Sequence, residues 1–205
     1  MDAYVNDAHL YGVAVGIVSN INDPEGLGRV KTVLPWMTDT VETDWARVAT
    51  PMAGPGRGIY FRPDVNDEVL VAFEHGNPDM PYVLGGLWNG KDQPPVADPD
   101  STNDVRMIKS RAGSTIRFSD VEDDAQIHIV DSSGKNMIVI RASDNSITIT
   151  ADGDITLQAG QGKLTLSGDS VEITATSGVK IEASQAMEVE ATGQLTLKGS
   201  VVNIN

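Results

Sequence analysis

The side chains that could carry catalysis are few and widely separated in this sequence. Its three histidines are His9, His75 and His128, and it contains no cysteine. Asp67 and Glu68 offer two adjacent carboxylates, but neighbouring residues of a strand point to opposite faces and cannot flank one bond as a glycosidase pair does. His128 lies between two isoleucines and is expected to point outward into solvent. These residues predict no catalytic site.

Four loop motifs could bind a ligand, and the sequence favours a structural role for each. Glu122-Asp123-Asp124 offers the oxygen ligands that calcium prefers, yet its position between strands is typical of a solvated hairpin turn. Gly54-Pro-Gly-Arg-Gly58 lacks the Lys-Ser/Thr pair and the following helix of a phosphate loop. Gly153 and Gly160-Gln-Gly162 fall short of the calcium-binding nonapeptide repeat. We therefore predict no metal, no cofactor and no enzymatic activity.

The strongest pattern in the chain is a repeat of three-residue segments that begins at position 147. Each triplet has aliphatic residues at its two outer positions and a polar residue between them, and successive triplets start 7 to 9 residues apart. Self-similarity at a fixed period is typical of repeat architectures. The eight triplets are Ile147-Thr-Ile149, Ile155-Thr-Leu157, Leu164-Thr-Leu166, Val171-Glu-Ile173, Val179-Lys-Ile181, Met187-Glu-Val189, Leu195-Thr-Leu197 and Val202-Asn-Ile204.

The alternation identifies these triplets as strands. First and third side chains share one face of a strand, whereas on a helix they would point about 200° apart. A three-residue strand spans roughly 10 Å, so one repeat would form one side of a narrow tube, and the tube needs at least three sides. A single-chain solenoid would have fewer than three coils. Three chains wrapping together would close a coil at every repeat, which favours an intertwined trimeric β-prism.

The aliphatic ends of the triplets are predicted to line the axis of this trimer, where they would be shielded from water. This predicted axial core comprises Ile147, Ile149, Ile155, Leu157, Leu164, Leu166, Val171, Ile173, Val179, Ile181, Met187, Val189, Leu195 and Leu197.

Composition divides the chain into two parts and excludes several classes of partner. All ten prolines lie at or before Pro99, and all ten aromatic residues lie at or before Phe118. The net charge of −14 and the pI of about 4.4 offer no basic surface for nucleic acid. Residues 1–11 contain no leader pattern, and no apolar run is long enough to cross a membrane. We therefore expect synthesis as a soluble cytoplasmic chain.

Residues 12–93 have the pattern of a small closed barrel. Five or six short alternating segments are separated by turns rich in glycine, proline and asparagine, and such spacing suggests an OB-type barrel. The predicted strands cover residues 12–18, 29–34, 45–49, 59–63, 67–73 and 82–88.

Several separated motifs of this region make it recognisable as a family. In order along the chain they are Gly28-Arg-Val-Lys31, Trp45-Ala-Arg-Val48, Ala53-Gly-Pro-Gly-Arg-Gly-Ile-Tyr-Phe-Arg-Pro63, Asp67-Glu-Val-Leu-Val-Ala-Phe73, Gly76-Asn-Pro-Asp-Met-Pro-Tyr-Val-Leu-Gly85 and Leu87-Trp-Asn-Gly90. Together they resemble the OB-fold domain of the central spike proteins of contractile injection systems, namely the VgrG spikes of type VI secretion and the phage baseplate assembly protein V family. The repeats that follow are similar to the triple-stranded β-helix of this family.

The resemblance implies a structural, non-enzymatic spike. It implies a homotrimer that forms a membrane-puncturing needle below a hub and is assembled into the baseplate of an injection particle. An extracellular location and a location in a virion are both compatible with this assembly. Only about eleven residues precede the first strand, so we expect a subunit without a hub domain that docks on a separate hub protein at its OB end. The chain does not end in the His-x-His iron motif of some phage spikes, so a PAAR-type tip protein is expected to dock at Val202, Asn203, Ile204 and Asn205.

The predicted architecture is all-β, with an OB-fold barrel followed by an intertwined trimeric β-helix. The alternative function is that of a glycan-binding adhesin, in which the barrel displays a β-fibre. Between the barrel and the repeats, strands starting at Met107, Ile116, Ile127 and Ile138 are more widely spaced. The predicted domains are an N-terminal segment at 1–11, the OB-fold domain at 12–93, a linker at 94–106 and the β-helix spike at 107–205.

Overall fold

A computed structural model describes residues 9–37, 41–96 and 102–203 of the chain. Within these ranges it contains β-strands, one 3₁₀ turn at Glu74–Gly76 and no α-helix, which confirms the predicted all-β class. Contacts divide the chain into two units, residues 1–153 and 154–205. No helix in the described ranges is long and apolar enough to span a membrane. The strands are β1 (Val13–Asn20), β2 (Lys31–Val33), β3 (Arg47–Val48), β4 (Ala53–Gly54), β5 (Arg57–Gly58), β6 (Glu68–Phe73), β7 (Pro81–Gly86), β8 (Val105–Lys109), β9 (Thr115–Ser119), β10 (Gln126–Val130), β11 (Met137–Arg141) and β12 (Ser146–Thr150).

The first five-stranded sheet closes into a barrel, as the sequence predicts. Its strand order is β2-β1-β6-β7-β3, and only the β3–β7 pair is parallel. Val30 and Ala46, which immediately precede β2 and β3, exchange two backbone hydrogen bonds of 3.0 and 2.7 Å. This bridge joins the two edges of the sheet. The result is the small partly open barrel of the OB fold.

The barrel is filled by alternate residues of its strands. On β6, Val69, Val71 and Phe73 are buried and face the centre. Gly16 on β1 is required by this packing, because a Cβ at that position would lie 3.0 Å from the Cγ2 of Val71. The other buried hydrophobic residues of the core are Val18, Val30, Leu34, Ala46 and Val83.

The loop between β1 and β2 is organised around one buried carboxylate. The Asp23 side chain is 1% exposed and accepts two hydrogen bonds from the Arg29 guanidinium, at 2.7 and 3.1 Å. It also accepts backbone N–H groups of Glu25, Leu27 and Arg29 at 3.0 to 3.1 Å. The Arg29 guanidinium lies 6.0 Å from the ring centre of Trp45. Hydrogen bonds from Arg29 hold the pKa of Asp23 well below its usual range.

The depressed pKa of Asp23 makes the barrel sensitive to acid. A carboxylate whose pKa is lowered by folding stabilises the folded state above its unfolded pKa of about 3.9, and this stabilisation is lost as the pH falls through the folded value. We expect Asp23→Asn to lower the thermal midpoint at pH 7 by about 5 °C, and the difference from wild type to shrink between pH 4 and pH 2. Tryptophan fluorescence melts at several pH values measure this.

The exposed residue Asp79 provides the matched control for that experiment. Asp79→Asn removes the same charge without touching the loop, so its melting curves should follow those of the wild type at every pH. A difference between Asp23→Asn and wild type that stays constant down to pH 2 would contradict the role given to Asp23.

The second five-stranded sheet is an antiparallel meander of β8 to β12 in chain order. The strand positions expected from the sequence at Ile116, Ile127 and Ile138 lie within β9, β10 and β11. Arg111, in the turn between β8 and β9, forms an ion pair of 3.0 Å with Asp64 of the barrel domain. Both side chains are exposed, so this pair contributes little to stability.

Candidate functional site

One face of the second sheet is aliphatic and exposed. Strand register places two rows of residues across this face. All their apolar members are exposed except Ile127, which is half-buried. An exposed apolar patch of this kind marks an interaction surface. We call it the aliphatic face, and its rows are Ile108-Ile116-Ile129-Ile138-Ile149 and Arg106-Phe118-Ile127-Ile140-Ile147.

The opposite face of the same sheet carries His128, which points away from the aliphatic face as the sequence predicts. The imidazole is half-buried rather than fully exposed, because its ring Nε2 lies 2.8 Å from Oε1 of Gln126 and because Arg117 is its cross-strand neighbour. The buried Nε of Arg117 has no hydrogen-bond partner in the described part of the chain. Met107 is on the same face as His128, opposite Arg117.

The predicted axial core begins at Ile147 and includes no residue of β8 to β11. In the structure, the exposed apolar rows extend beyond those residues onto β8 to β11, and they include Ile116, Ile129 and Ile138. The sequence pattern that indicates these residues is the two-residue alternation of Ile116-Arg-Phe118 and of the triplets that begin at Ile127 and Ile138. At β8 the alternation changes phase, since Ile108, the middle residue of its triplet, pairs with Ile116.

Residues 154–203 are extended and bend at regular intervals. Bends begin at residues 152, 160, 168, 176, 184, 192 and 200, which are eight residues apart throughout. Within residues 154–203 no segment pairs as a strand with another part of the chain. The bend at Gly160–Gly162 has three residues where those beginning at 152 and 168 have two. This extra residue accommodates the one-residue displacement of the triplet that begins at Leu164.

The predicted axial residues of this unit are presented in two regular classes of exposure. From Ile155 to Val202, the first residue of each triplet is 51 to 57% exposed. The third residue, from Leu157 to Leu197, is 64 to 69% exposed. The two classes do not overlap, so every repeat presents its aliphatic pair in the same way. Aliphatic side chains are among those most often buried in folded proteins, and an uncovered row of them marks an interaction surface.

The predicted tip-docking residues lie partly within the described ranges. Val202 is 51% exposed, which matches the first residues of the other triplets, and Asn203 is exposed. Ile204 and Asn205 lie outside the described residues. Val202 therefore has the exposure of a first triplet residue, although it lies two residues after the bend at 200, whereas Leu195 lies three residues after the start of the bend at 192.

The loop motifs with ligand-binding residue types have protein partners. Asp124 of the acidic turn accepts a hydrogen bond of 2.7 Å from Gln126 and lies 3.6 Å from the Arg141 guanidinium. No group of three or more acidic or histidine side chains is arranged to hold a metal ion among the described residues. Gly54 and Gly58 belong to the β4–β5 hairpin, beside an open cleft of about 610 Å³ that Tyr60 and Phe61 also line.

Comparison with known proteins connects both parts of the chain to one class. Residues 14–88 match the family model described as the type VI secretion system/phage-baseplate injector OB domain. The chain is 32% identical over 106 residues to the type VI secretion system spike protein VgrG3 of Vibrio cholerae, covering 49% of this chain and 10% of the relative. It is 34% identical over 101 residues to the spike protein VgrG2a of Pseudomonas aeruginosa, covering 45% and 12%.

A longer match includes the repeats. The chain is 25% identical over 201 residues to a Vibrio cholerae protein named actin cross-linking toxin VgrG1, which covers 92% of this chain and 17% of that relative. This chain thus spans between a tenth and a sixth of the length of these three relatives. Residues 14–88 belong to the injector OB-domain family of type VI secretion systems and phage baseplates, and the chain as a whole is a relative of the VgrG spike proteins.

Proposed function

We propose that this chain is a structural spike subunit of a contractile injection system and that it works as a homotrimer. The observation that carries the proposal is the uncovered aliphatic pair that recurs in every repeat of residues 154–203. The injector OB domain at residues 14–88 and the VgrG spike relatives support the same function.

The partner that fits these repeats best is another copy of the same chain. The extended segments between the bends leave backbone N–H and C=O groups without strand partners inside residues 154–203, and such groups must be hydrogen-bonded when they are covered. A second copy offers strands with the same eight-residue spacing and the same aliphatic side. Three copies close a tube whose sides are one triplet wide, which leaves no exposed sheet edge along its length.

In this trimer the aliphatic ends of the triplets point to the axis. The proposed axial core is the set predicted from the sequence, from Ile147 to Leu197. It is extended here by the apolar residues of the aliphatic face on β8 to β11, which are also exposed apart from Ile127. Burying one valine, leucine or isoleucine side chain contributes about 1.5 to 3 kcal/mol, and the regular repeat multiplies this contribution along the axis.

The function of such an assembly is mechanical. Strand hydrogen bonds run along the prism axis and three chains share one apolar interior, so unfolding requires all three to separate. We propose that the barrels dock on a hub protein and that the end of the chain at Val202 carries a PAAR-type tip protein. The subunit is then assembled into the baseplate of an injection particle, where the prism meets the target envelope. Its net charge of −14 per chain becomes −42 per trimer (three times −14), which keeps such an assembly soluble.

Molar mass in solution tests the proposal directly. The chain has a mass of 21.8 kDa, so we expect light scattering of the purified protein to give three times this value, independent of concentration over the micromolar range. A molar mass of one chain, with the repeats resistant to proteolysis, would support a single-chain solenoid and contradict the trimer. Specific binding on a glycan array by a single-chain species would favour the adhesin function instead.

A further inference from the structure

We propose that a row of alternating charges on the outer side of the prism, formed by Glu172, Lys180 and Glu188 of different chains, fixes the axial register of the trimer. This inference rests on the proposed homotrimer and concerns how its copies align. The aliphatic triplets cannot set the alignment themselves, because they are nearly interchangeable along the chain. Within the triplets, a slip of one chain by one repeat would bury almost the same aliphatic interior.

The three charged residues occupy equivalent positions in successive repeats. Each is the middle residue of its triplet, and they are eight residues apart in the part of the chain where the triplets also start eight residues apart. Bends at 176–177 and 184–185 separate them with the same period. Among the eight middle positions of the repeat, Lys180 is the one that carries a cation.

Threefold symmetry determines which residues of different chains become neighbours. If each repeat covers one of three sides, repeat n of one chain lies at the same height as repeat n of the other two, but on a different side. The adjacent strand on its own side must therefore be repeat n + 1 or n − 1 of another chain. Neighbouring strands are about 4.8 Å apart. Lys180 then has Glu172 of one neighbouring chain on one side and Glu188 of the other chain on the other.

Lys180 has an ion-pair partner in its own chain, and its ammonium group remains exposed and can also contact carboxylates of the neighbouring chains. Lys180 Nζ lies 2.7 Å from Oε1 of Glu182, two residues further along the same strand, and the side chains of both are more than 70% exposed. Residues two apart on a strand share a face, so Lys180 and Glu182 are both on the outer side. A lysine that has carboxylates before it, after it and beside it is the centre of a small ion-pair network.

Misalignment reverses the signs of these contacts. If one chain slips by one repeat, Lys180 comes to lie beside Lys180 of a neighbour at one interface, and Glu172 beside Glu188 at the other. Like charges directly opposite on adjacent strands are destabilising. The row thus penalises the slipped arrangements while leaving the interior unchanged, which is the role that flanking charges have in the register of coiled coils.

Disulfide trapping tests the neighbour relation, because the native sequence contains no cysteine. The expected strand separation is within the Cα to Cα range of about 4.4 to 6.8 Å that a disulfide requires. We expect the double variant Glu172→Cys, Lys180→Cys to run as a covalent trimer in denaturing electrophoresis after oxidation with diamide. Each single variant should remain a monomer there. The pair Glu172→Cys, Glu188→Cys, which is two strands apart, should remain a monomer as well.

Charge reversal tests whether the row determines stability. We expect Lys180→Glu alone, and Glu172→Lys with Glu188→Lys, each to lower the melting midpoint of the trimer by about 5 °C. Combining all three changes restores the alternation and should give a midpoint above both. Position 180 is glutamate in both the single and the triple variant, so its contact with Glu182 in the same chain is the same in both. A higher melting midpoint of the triple variant than of the single variant therefore reports contacts between chains.

The possible outcomes separate this inference from the proposed function. Cross-linking by Lys180→Cys alone would overturn the charge row, and so would a triple variant that melts no higher than the single and double charge variants. Neither result would affect the trimer, provided that light scattering still gives the mass of three chains. A wild-type protein that is monomeric by light scattering would instead overturn the trimer. Covalent trimers of the Glu172→Cys, Lys180→Cys variant, together with a raised melting midpoint of the triple charge variant, support both the charge row and the trimer.

Discussion

Replacing Ile173 with aspartate is expected to abolish trimer assembly. Ile173 is the third residue of its triplet and is 66% exposed in the single chain, so the change costs the isolated chain little. In the proposed trimer it places three carboxylates around one axial position. Desolvating an unpaired carboxylate costs several kcal/mol for each ion, and the three repel one another. Light scattering should then report single chains.

Thr156→Asp is the matched control for this variant. Thr156 is the middle residue of the triplet that begins at Ile155. In the proposed trimer a carboxylate there points outward into solvent, and its cross-strand neighbours are threonines. It should assemble as the wild type does. Circular dichroism melts of the barrel verify that both variants remain folded. An Ile173→Asp protein that elutes and scatters as a normal trimer would refute the axial position of this residue.

Ile138→Asp is expected to have an effect of similar size in a different part of the chain. Ile138 belongs to one row of the aliphatic face, where it lies between Ile129 and Ile149 on the adjacent strands. If copies of the chain cover this face, the variant buries three carboxylates in the part of the interior that β8 to β12 form. We expect loss of the trimer, or a trimer that dissociates at micromolar concentration, with the barrel still folded.

Thr148→Asp is the control for this second variant, because Thr148 is exposed on the opposite face of the same sheet. Its trimer should be as stable as that of the wild type. If Ile138→Asp forms a full-strength trimer while Ile173→Asp does not, the three-chain interior is confined to the eight-residue repeats. The aliphatic face of β8 to β12 would then need a different partner.

The elements that follow strict alternation were predictable from the sequence. The barrel strands predicted at residues 12–18, 29–34, 45–49, 67–73 and 82–88 overlap β1, β2, β3, β6 and β7, because a two-residue period determines which side chains share a face. The strand predicted at residues 59–63 is wrong, since the structure forms the β4–β5 hairpin just before it and no strand at 59–63. The regular exposure of the triplets and the bends at eight-residue intervals agree with the predicted repeat. The family was also recognisable, because its motifs are distributed along the barrel in a fixed order.

Features that depend on contacts between distant residues were not predictable. The change in the phase of the alternation at β8 is set by the pairing of β8 with β9. This pairing places Ile108 opposite Ile116 and leaves Met107 on the side of the sheet opposite the aliphatic face. The carboxylate of Asp23 looks like any loop aspartate in the sequence. Its burial depends on Arg29 and three backbone N–H groups that meet only in the folded loop. Nothing local to Asp23 specifies this arrangement.

The even spacing of the bends bears on how such a protein changes length in evolution. Adding or removing one repeat by an in-frame change of eight codons moves every later repeat to the next side and alters the height by about 4.8 Å. In a single-chain tube this would turn the far end by a third of a turn relative to the base. In a threefold trimer that rotation exchanges identical chains, so the end surface is unchanged. The length of a threefold prism can therefore change by one repeat at a time without sequence changes at either end.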